Sequence, residues 1–439
     1  MIVMKFGGTS LGNAERIRKT ADIVKFQIDR HPVVVVSAVA KTTDALIKLA
    51  NEASNGRGND ILENIRNIHH KILSELNIDN SLLEEDLTEL SHLVNETRSA
   101  GKLDARILDC LQSFGERMSS KIVAAHLNKQ INSKAFNSWE LGFLTTNNFG
   151  NAEPLEASYS SLKSNIAKLD AVAVVTGFIG KAENGEITTL GRGGSDYSAA
   201  VIGAAIDAEE IQIWTDVNGI MSTDPKIVPN AKPIRQVSFA EAAELAYFGA
   251  KVLHPKTILP AMRRNIPVRV LNSFNPEDRG TTIVSKPVIR EKTVKAIACK
   301  NNSTLIHIDS TRMLGAYGFL AKIFEIFSKY RKSVDVISTS EVSVSLTVDN
   351  GENVDSIIRD LKEIGEVEVA KNKSVICVVG EGMKDTLGIP AKIFSTLAEN
   401  EIHIEMISMG ASEINITFIV DGKDTEQAVK ALHKEYFGE

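Results

Sequence analysis

The chain has 439 residues, 43% of them hydrophobic and 24% charged, with a formal net charge of −6. That length exceeds one ordinary hydrophobic core, so two or three domains are expected. A mildly acidic balance without a long basic block argues against a nucleic-acid partner, and no apolar run approaches the roughly 20 residues of a membrane helix. From the start, residues 2–5 read as a buried strand, and Lys5-Phe6-Gly7-Gly8-Thr9-Ser10 reads as a glycine loop headed by a lysine. Residues 13–26 then read as a crossover helix and 33–38 as a second strand. Between 44 and 128 the periodicity is helical: Ile61, Ile65, Ile68, Ile72 and Leu76 share one face, and Leu83, Leu87, Leu90 and Val94 another. This block is expected to form a helical lobe over the substrate.

Further strands are predicted at 171–178, 211–215 and 268–271, all rich in β-branched residues. Residues 187–190 give a strand and 197–208 an alanine-rich helix, with Gly191-Arg192-Gly193-Gly194-Ser195-Asp196 between them. A helix is also expected over 239–249. Strands alternating with helices predict an α/β fold with a largely parallel sheet between helical layers.

From about residue 291 the pattern repeats itself. Gly318-Phe319-Leu320-Ala321-Lys322-Ile323-Phe324 matches Gly388-Ile389-Pro390-Ala391-Lys392-Ile393-Phe394, and Val334-Asp335-Val336-Ile337-Ser338 matches Ile404-Glu405-Met406-Ile407-Ser408 at the same offset. Two ferredoxin-like βαββαβ units in tandem are therefore expected. The expected divisions are 1–290, 291–370 and 371–439, with strand 294–300 fitting either repeat. Cys110, Cys299 and Cys377 lie far apart and outside any CxxC pair, so reduced thiols are expected rather than a zinc site or a disulfide framework. Met1 leads into a strand without a signal-peptide pattern, and a cytoplasmic enzyme is the expectation.

A glycine loop between a strand and a helix turns backbone N–H groups outward at the positive end of a helix dipole, which suits an anion. Arg192 adds a planar fork matched to a carboxylate or phosphate. Two such loops, one headed by Lys5, point to an anionic substrate beside a nucleotide. Familiar nucleotide motifs do not fit. Gly7 and Gly12 have P-loop spacing, but Asn13-Ala14 follows where Lys-Ser/Thr is required. Asp196 replaces the last glycine of a dinucleotide fingerprint, and no HRD or DFG set is present.

Six segments in order carry a family resemblance: Lys5-Phe6-Gly7-Gly8-Thr9-Ser10, Phe114-Gly115-Glu116-Arg117-Met118-Ser119, Gly177-Phe178-Ile179-Gly180, residues 190–199, Trp214-Thr215-Asp216-Val217-Asn218-Gly219-Ile220 and Lys251-Val252-Leu253-His254-Pro255. Together they resemble the aspartokinases over essentially the whole chain. The resemblance implies an amino-acid kinase fold followed by two ACT domains. It implies phosphorylation of the L-aspartate side chain with ATP, the first step toward lysine, threonine and methionine. Mg²⁺ would be held mainly through the ATP phosphates.

Residue by residue, the resemblance makes Lys5 and Asp196 catalytic. It gives Thr43, Glu116, Phe178, Arg192 and Ser195 to the substrate, with Glu116 on its ammonium and Arg192 on its α-carboxylate. Gly7, Gly8, Thr215, Asp216, Met221, Lys226 and Lys251 fall to the nucleotide, together with Lys5. The family usually has an aromatic residue in place of Met221 and an arginine in place of Lys226. Plainer roles are also open: a surface lysine at 5, an ion pair between Glu116 and Arg117, helix capping by Ser195, a dipole-favoured acid at 196. His254, followed by Pro255, reads as structural.

The first repeat resembles the lysine-inhibited class. Met313, Gly318, Phe319, Leu320, Val334, Asp335, Thr339, Ser340 and Glu341 are expected to line an effector site, Asp335 and Glu341 meeting the two ammonium groups of L-lysine. Edge-strand acids are the alternative for that pair. The second repeat is expected to serve a homodimer or higher homo-oligomer. Two competing readings are another amino-acid kinase, acting on glutamate or carbamate, and a catalytically silent amino-acid sensor. Glu116, Arg192 and the ACT pair count against the first; Lys5, Arg192, Asp196 and Lys251 together count against the second.

Overall fold

Residues Ile2–Phe6, Pro32–Val36 and Val172–Thr176 are buried at every position. A strand hidden on both faces belongs inside a sheet covered by helices on each side. The computed structural model describes residues 1–248, 255–287, 293–315, 317–351, 353–383, 385–410 and 414–438, and its largest sheet has that form. Eight strands run in the order Ser133–Phe136, Val172–Thr176, Pro32–Val36, Ile2–Phe6, Glu210–Thr215, Val268–Asn272, Thr281–Val284, Gln236–Ser238. Every pairing is parallel except that between Val268–Asn272 and Thr281–Val284. Ile2–Phe6 lies inside the sheet, with Lys5 opposite Val35 on one side and Ile213 on the other.

Helix Ala14–Phe26 starts where the Asn13 side chain accepts the Arg16 N–H at 2.9 Å, satisfying one of the free donors of the first turn. The helical block comprises Thr42–Ser54, Asn59–Glu75, Glu84–Ala100 and Ala105–Leu127. Leu83, Leu87, Leu90 and Val94 are fully buried, as their spacing requires. On Asn59–Glu75 the buried stripe is rotated: Ile65, His69, Ile72 and Leu73 point inward and Ile68 is 36% exposed. At 100° per residue, Ile68 falls at the edge of that stripe rather than in it.

The described residues divide into two compact units. The first gathers Met1–Ile220, Arg235–Phe239 and Val252–Pro287, and the second Met221–Ile234, Ala240–Lys251 and Val288–Glu439. A single cut at residue 290 therefore does not separate them. Within the second unit, Lys295 meets the buried carboxylate of Glu241 at 2.9 Å, and the Glu381 N–H donates to that same carboxylate at 2.7 Å. Ile297 donates its N–H to the Ser222 carbonyl at 2.8 Å. These contacts tie segments that are early in sequence to the C-terminal sheet.

That sheet has six strands in the order Val336–Thr339, Ser343–Asp349, Ala296–Asp309, Glu366–Val379, Asn415–Asp421, Met406–Ser408, all antiparallel. Two 14-residue strands serve both repeats. Residues 305–309 pair with 366–370 in the first repeat. Ala296 to Lys300 pair with Val375 to Val379, so this strand lies against the second. Helices Phe319–Lys329 and Val354–Leu361 supply the core of the first repeat, and Ile389–Glu399 and Thr425–Phe437 that of the second. No helix among the described residues is long and apolar enough to cross a membrane.

Candidate active site

Parallel strands end side by side, so the loops leaving their carboxyl ends are gathered at one edge of the sheet, where open α/β folds place their ligands. Gly7 follows Ile2–Phe6 and donates its N–H to the Trp214 carbonyl at 3.1 Å. Ser37 follows Pro32–Val36 and donates to the Phe6 carbonyl at 3.1 Å, and Gly177 follows Val172–Thr176 and donates to the Val36 carbonyl at 2.9 Å. Ser273 follows Val268–Asn272 and donates to the Thr215 carbonyl at 2.8 Å. Its hydroxyl also lies 2.8 Å from that of Ser10.

The two glycine loops meet here. Lys5 Nζ lies 2.6 Å from Asp196 Oδ1, and both side chains are largely shielded, at 11% and 13% exposure. Asp196 stands in the first turn of helix Gly194–Ala205, which begins after Gly193 in the left-handed region. Ser195, in the same turn, is buried against Gly177: a Cβ at Gly177 would come within 2.7 Å of that of Ser195. The strand and helix N-terminus can approach this closely only because residue 177 lacks a side chain. Phe178 adopts φ 66°, a region that costs a bulky residue energy, and is held there by its N–H on Ser198 Oγ at 3.0 Å and its carbonyl on the Leu190 N–H at 2.9 Å.

Glu116 comes from helix Ala105–Leu127 and is 2% exposed. Its Oε1 accepts the Ala38 N–H at 3.0 Å, while Oε2 is buried without a hydrogen-bond partner. Burial pushes this carboxyl up to about 8, against the pull of the Ala38 N–H and the Lys5 charge. A carboxyl half satisfied in this way gains from a cation beside Oε2, which favours its ionised form. Arg117 does not supply it: that guanidinium turns to Asp86, at 3.1 Å, and to Glu89.

Thr43 is half-buried in the first turn of Thr42–Ser54. Arg192 is exposed and makes no ion pair among the described residues, so its guanidinium is available to an anion. Thr215 is half-buried and donates its hydroxyl to the exposed Asp216 at 3.2 Å. Met221 and Lys226 belong to the second unit: Met221 bridges to Pro233, and Lys226 is exposed with its N–H on Asp224 at 2.9 Å. Lys251 and His254 lie outside the described residues.

In the second unit a cavity of about 470 Å³ is lined by Met313, Leu314, Gly315, Gly318, Phe319, Leu320 and Glu341. Five of the nine expected effector residues are thus gathered. Val334 is half-buried, and Thr339 and Ser340 are exposed. Asp335 is engaged elsewhere: its carboxylate, 2% exposed, accepts the Tyr247 hydroxyl at 2.7 Å and the Lys300 ammonium at 2.9 Å.

One further buried acid, Asp109, carries no role in the family resemblance. It is buried on the helix that carries Glu116, and it accepts hydrogen bonds from Gly150 and Thr189. An acid seven positions before Glu116 on one helix face was the available signal.

Comparison with known proteins gives a consistent picture. The amino acid kinase family model matches residues 1–272, and an ACT domain model matches residues 376–436. Aspartokinase 2, chloroplastic, of Arabidopsis thaliana is 41% identical over 458 residues, covering 99% of this chain and 84% of that protein. The crystal structure of E. coli aspartokinase III in complex with aspartate and ADP (R-state) superposes with a TM-score of 0.86 at 36% identity, covering 100% of both chains. The structure of the same enzyme in complex with lysine and aspartate (T-state) gives 0.82 at 36% identity, covering 100% of this chain and 99% of that one.

Proposed function

The chain belongs to the aspartokinase family, and from that premise we propose that it transfers the γ-phosphoryl group of ATP to the side-chain carboxylate of L-aspartate, and that L-lysine restrains it. A carboxylate oxygen bonds to the γ-phosphorus, the bond to the β–γ bridging oxygen breaks, and ADP and 4-phospho-L-aspartate leave. The nucleophile has a reference pKa of about 3.9 and is ionised at neutral pH, so no general base is required. The difficulty is the approach of two anions and the charge on the transferring group.

The chain's own residues address each part. Lys5, held by Asp196, places an ammonium between the reactants. Glu116 receives the substrate ammonium on its unpartnered oxygen, Arg192 takes the α-carboxylate, and Thr43, Phe178 and Ser195 complete the substrate site. Gly7, Gly8, Thr215 and Asp216 face the nucleotide. The nucleotide roles of Met221, Lys226 and Lys251 rest on resemblance alone. Mg²⁺ would be carried mainly by the ATP phosphates, as the resemblance implies. Asp196 is the acid that would reach a water on that ion, whose chemistry is to neutralise phosphate charge.

For the effector, the cavity bearing Met313, Phe319 and Glu341 supports an amino-acid site in the first repeat. The exposed apolar residues Leu387, Ile407 and Met409 of the second repeat support pairing of two chains there.

The observation that carries the catalytic reading is the 2.6 Å contact between Lys5 and Asp196, which joins the two glycine loops. Trapping acyl phosphate with hydroxylamine after mixing protein, MgATP and aspartate tests it. Aspartate-dependent hydroxamate that diminishes on adding lysine is expected. Its absence removes the catalytic reading, and product insensitive to lysine removes the effector.

A further inference from the structure

Helix Ala105–Leu127 carries two buried acids on one line. Asp109 precedes Glu116 by two turns, about 10 Å along the axis, so both face the same way. Asp109 is 1% exposed, yet no cation among the described residues compensates it. Three donors do so instead. The Gly150 N–H reaches Oδ2 at 2.9 Å, the Thr189 N–H reaches Oδ2 at 2.7 Å, and the Thr189 hydroxyl reaches Oδ1 at 2.9 Å. Taking a carboxylate out of water is costly even with donors aimed at it, and an apolar side chain at this buried position would cost the fold less.

The partners of Asp109 explain its presence. Thr189 ends strand Ile187–Thr189, three residues before Arg192. Gly150 belongs to the loop packed on Gly191, where φ is 75° and a Cβ would stand 2.9 Å from the Gly150 carbonyl. Ala152 closes the arrangement by donating its N–H to the Thr189 carbonyl at 2.9 Å. Asp109 therefore fastens both supports of the Gly191-Arg192 loop to the helix that presents Glu116.

We propose that Asp109 is a positioning residue for amino-acid recognition: it fixes the Arg192 loop relative to Glu116, so that one helix sets the separation of the carboxylate and ammonium sites. The proposal rests on the reading of Arg192 and Glu116 as substrate contacts. It is specific to the amino acid and leaves ATP recognition untouched.

Steady-state kinetics of the full chain test it. Asp109→Ala is expected to raise the aspartate KM about tenfold or more, with the ATP KM within about twofold of wild type. Asp109→Asn is expected to stay within about threefold, because its amide oxygen can accept both N–H groups and its NH₂ can donate to the Thr189 hydroxyl. In an Arg192→Ala background, Asp109→Ala should add less than about twofold to the aspartate KM. An Arg192→Ala variant with a normal aspartate KM overturns the reading of Arg192 itself. If Arg192→Ala raises that KM, then a normal KM in Asp109→Ala, an equal rise for ATP, or multiplicative effects in the double variant overturns the role of Asp109. Should Asp109→Ala not fold, Thr189→Val decides: a rise of about two- to threefold for aspartate alone supports the proposal, and an unchanged KM overturns it.

Discussion

Lys5 Nζ and Asp196 Oδ1 stand 2.6 Å apart, and through them the end of the first strand is locked to the N-terminus of a helix nearly two hundred residues later. The ammonium is thus fixed before any substrate arrives, which is how a charge contributes most to a transition state. Lys5→Ala should lower kcat by about a thousandfold or more. It should cost folding only about 1–3 kcal/mol, the penalty of leaving a mostly shielded acid without its partner. Turnover assays beside denaturant melts separate the two effects, and near-normal turnover would show that the lysine does something else.

Glu116 makes a pH prediction with a definite sign. Its carboxyl is pushed up to about 8 in the free protein, so at pH 7 it holds a proton. A substrate ammonium on Oε2 favours the ionised form and expels that proton. The aspartate KM should therefore fall as pH rises from about 6 to 8, by up to about tenfold per unit, and flatten above. Glu116→Gln should abolish the slope and raise the KM. Calorimetry in two buffers of different ionisation enthalpy should detect proton release in the wild type alone. Stability runs the other way. A carboxyl raised on folding contributes fully below its unfolded value of about 4.3 and loses that contribution as pH climbs through the folded value. The melting temperature of Glu116→Gln should accordingly gain on wild type from pH 5 to 8 and then hold its lead.

Much of this was legible in the sequence because the signals are local. Runs such as Val33-Val34-Val35-Val36 leave little choice but a buried strand, and Asn13 marks its helix start within one residue. The matched AKIF segments announced two repeats. What stayed hidden was long-range. The sequence left strand 294–300 open to either repeat, and only its pairing with 375–379 decides for the second; likewise nothing local tells that Glu241 finds Lys295. Ile68 misled because hydrophobic spacing fixes a stripe only to within about one residue of rotation. Asp109 escaped for another reason: its partners are mostly backbone N–H groups, which every residue owns and no composition reveals.

Gly177 shows how tightly the site is drawn. A Cβ there would sit 2.7 Å from Ser195 Cβ and 2.9 Å from its Cα, and the backbone of a helix N-terminus has little room to retreat. Gly177→Ala should destabilise the protein by about 1–3 kcal/mol in urea titrations. It should also displace Asp196 from Lys5, so that turnover falls by far more than the loss of folded protein explains.

Asp335 sharpens the question of how an amino acid could regulate the chain. The resemblance gives it an effector ammonium, yet the carboxylate already accepts an ammonium from Lys300 at 2.9 Å and a hydroxyl from Tyr247 at 2.7 Å. Lys300 is itself shared with Asp349 at 2.7 Å. An incoming ligand must therefore compete with a tethered cation for the same oxygens, and its affinity is reduced by whatever that internal pair contributes. Replacing Lys300 by Met removes the competitor while keeping the length of the apolar stem. The expected outcome is a half-inhibiting lysine concentration lower by about three- to tenfold, a shift of about 1 kcal/mol in coupling. Asp335→Asn should raise that concentration at least as much. Titrating lysine against the hydroxamate assay measures both, and an increase in Lys300→Met would mean that Lys300 builds the effector site rather than guarding it.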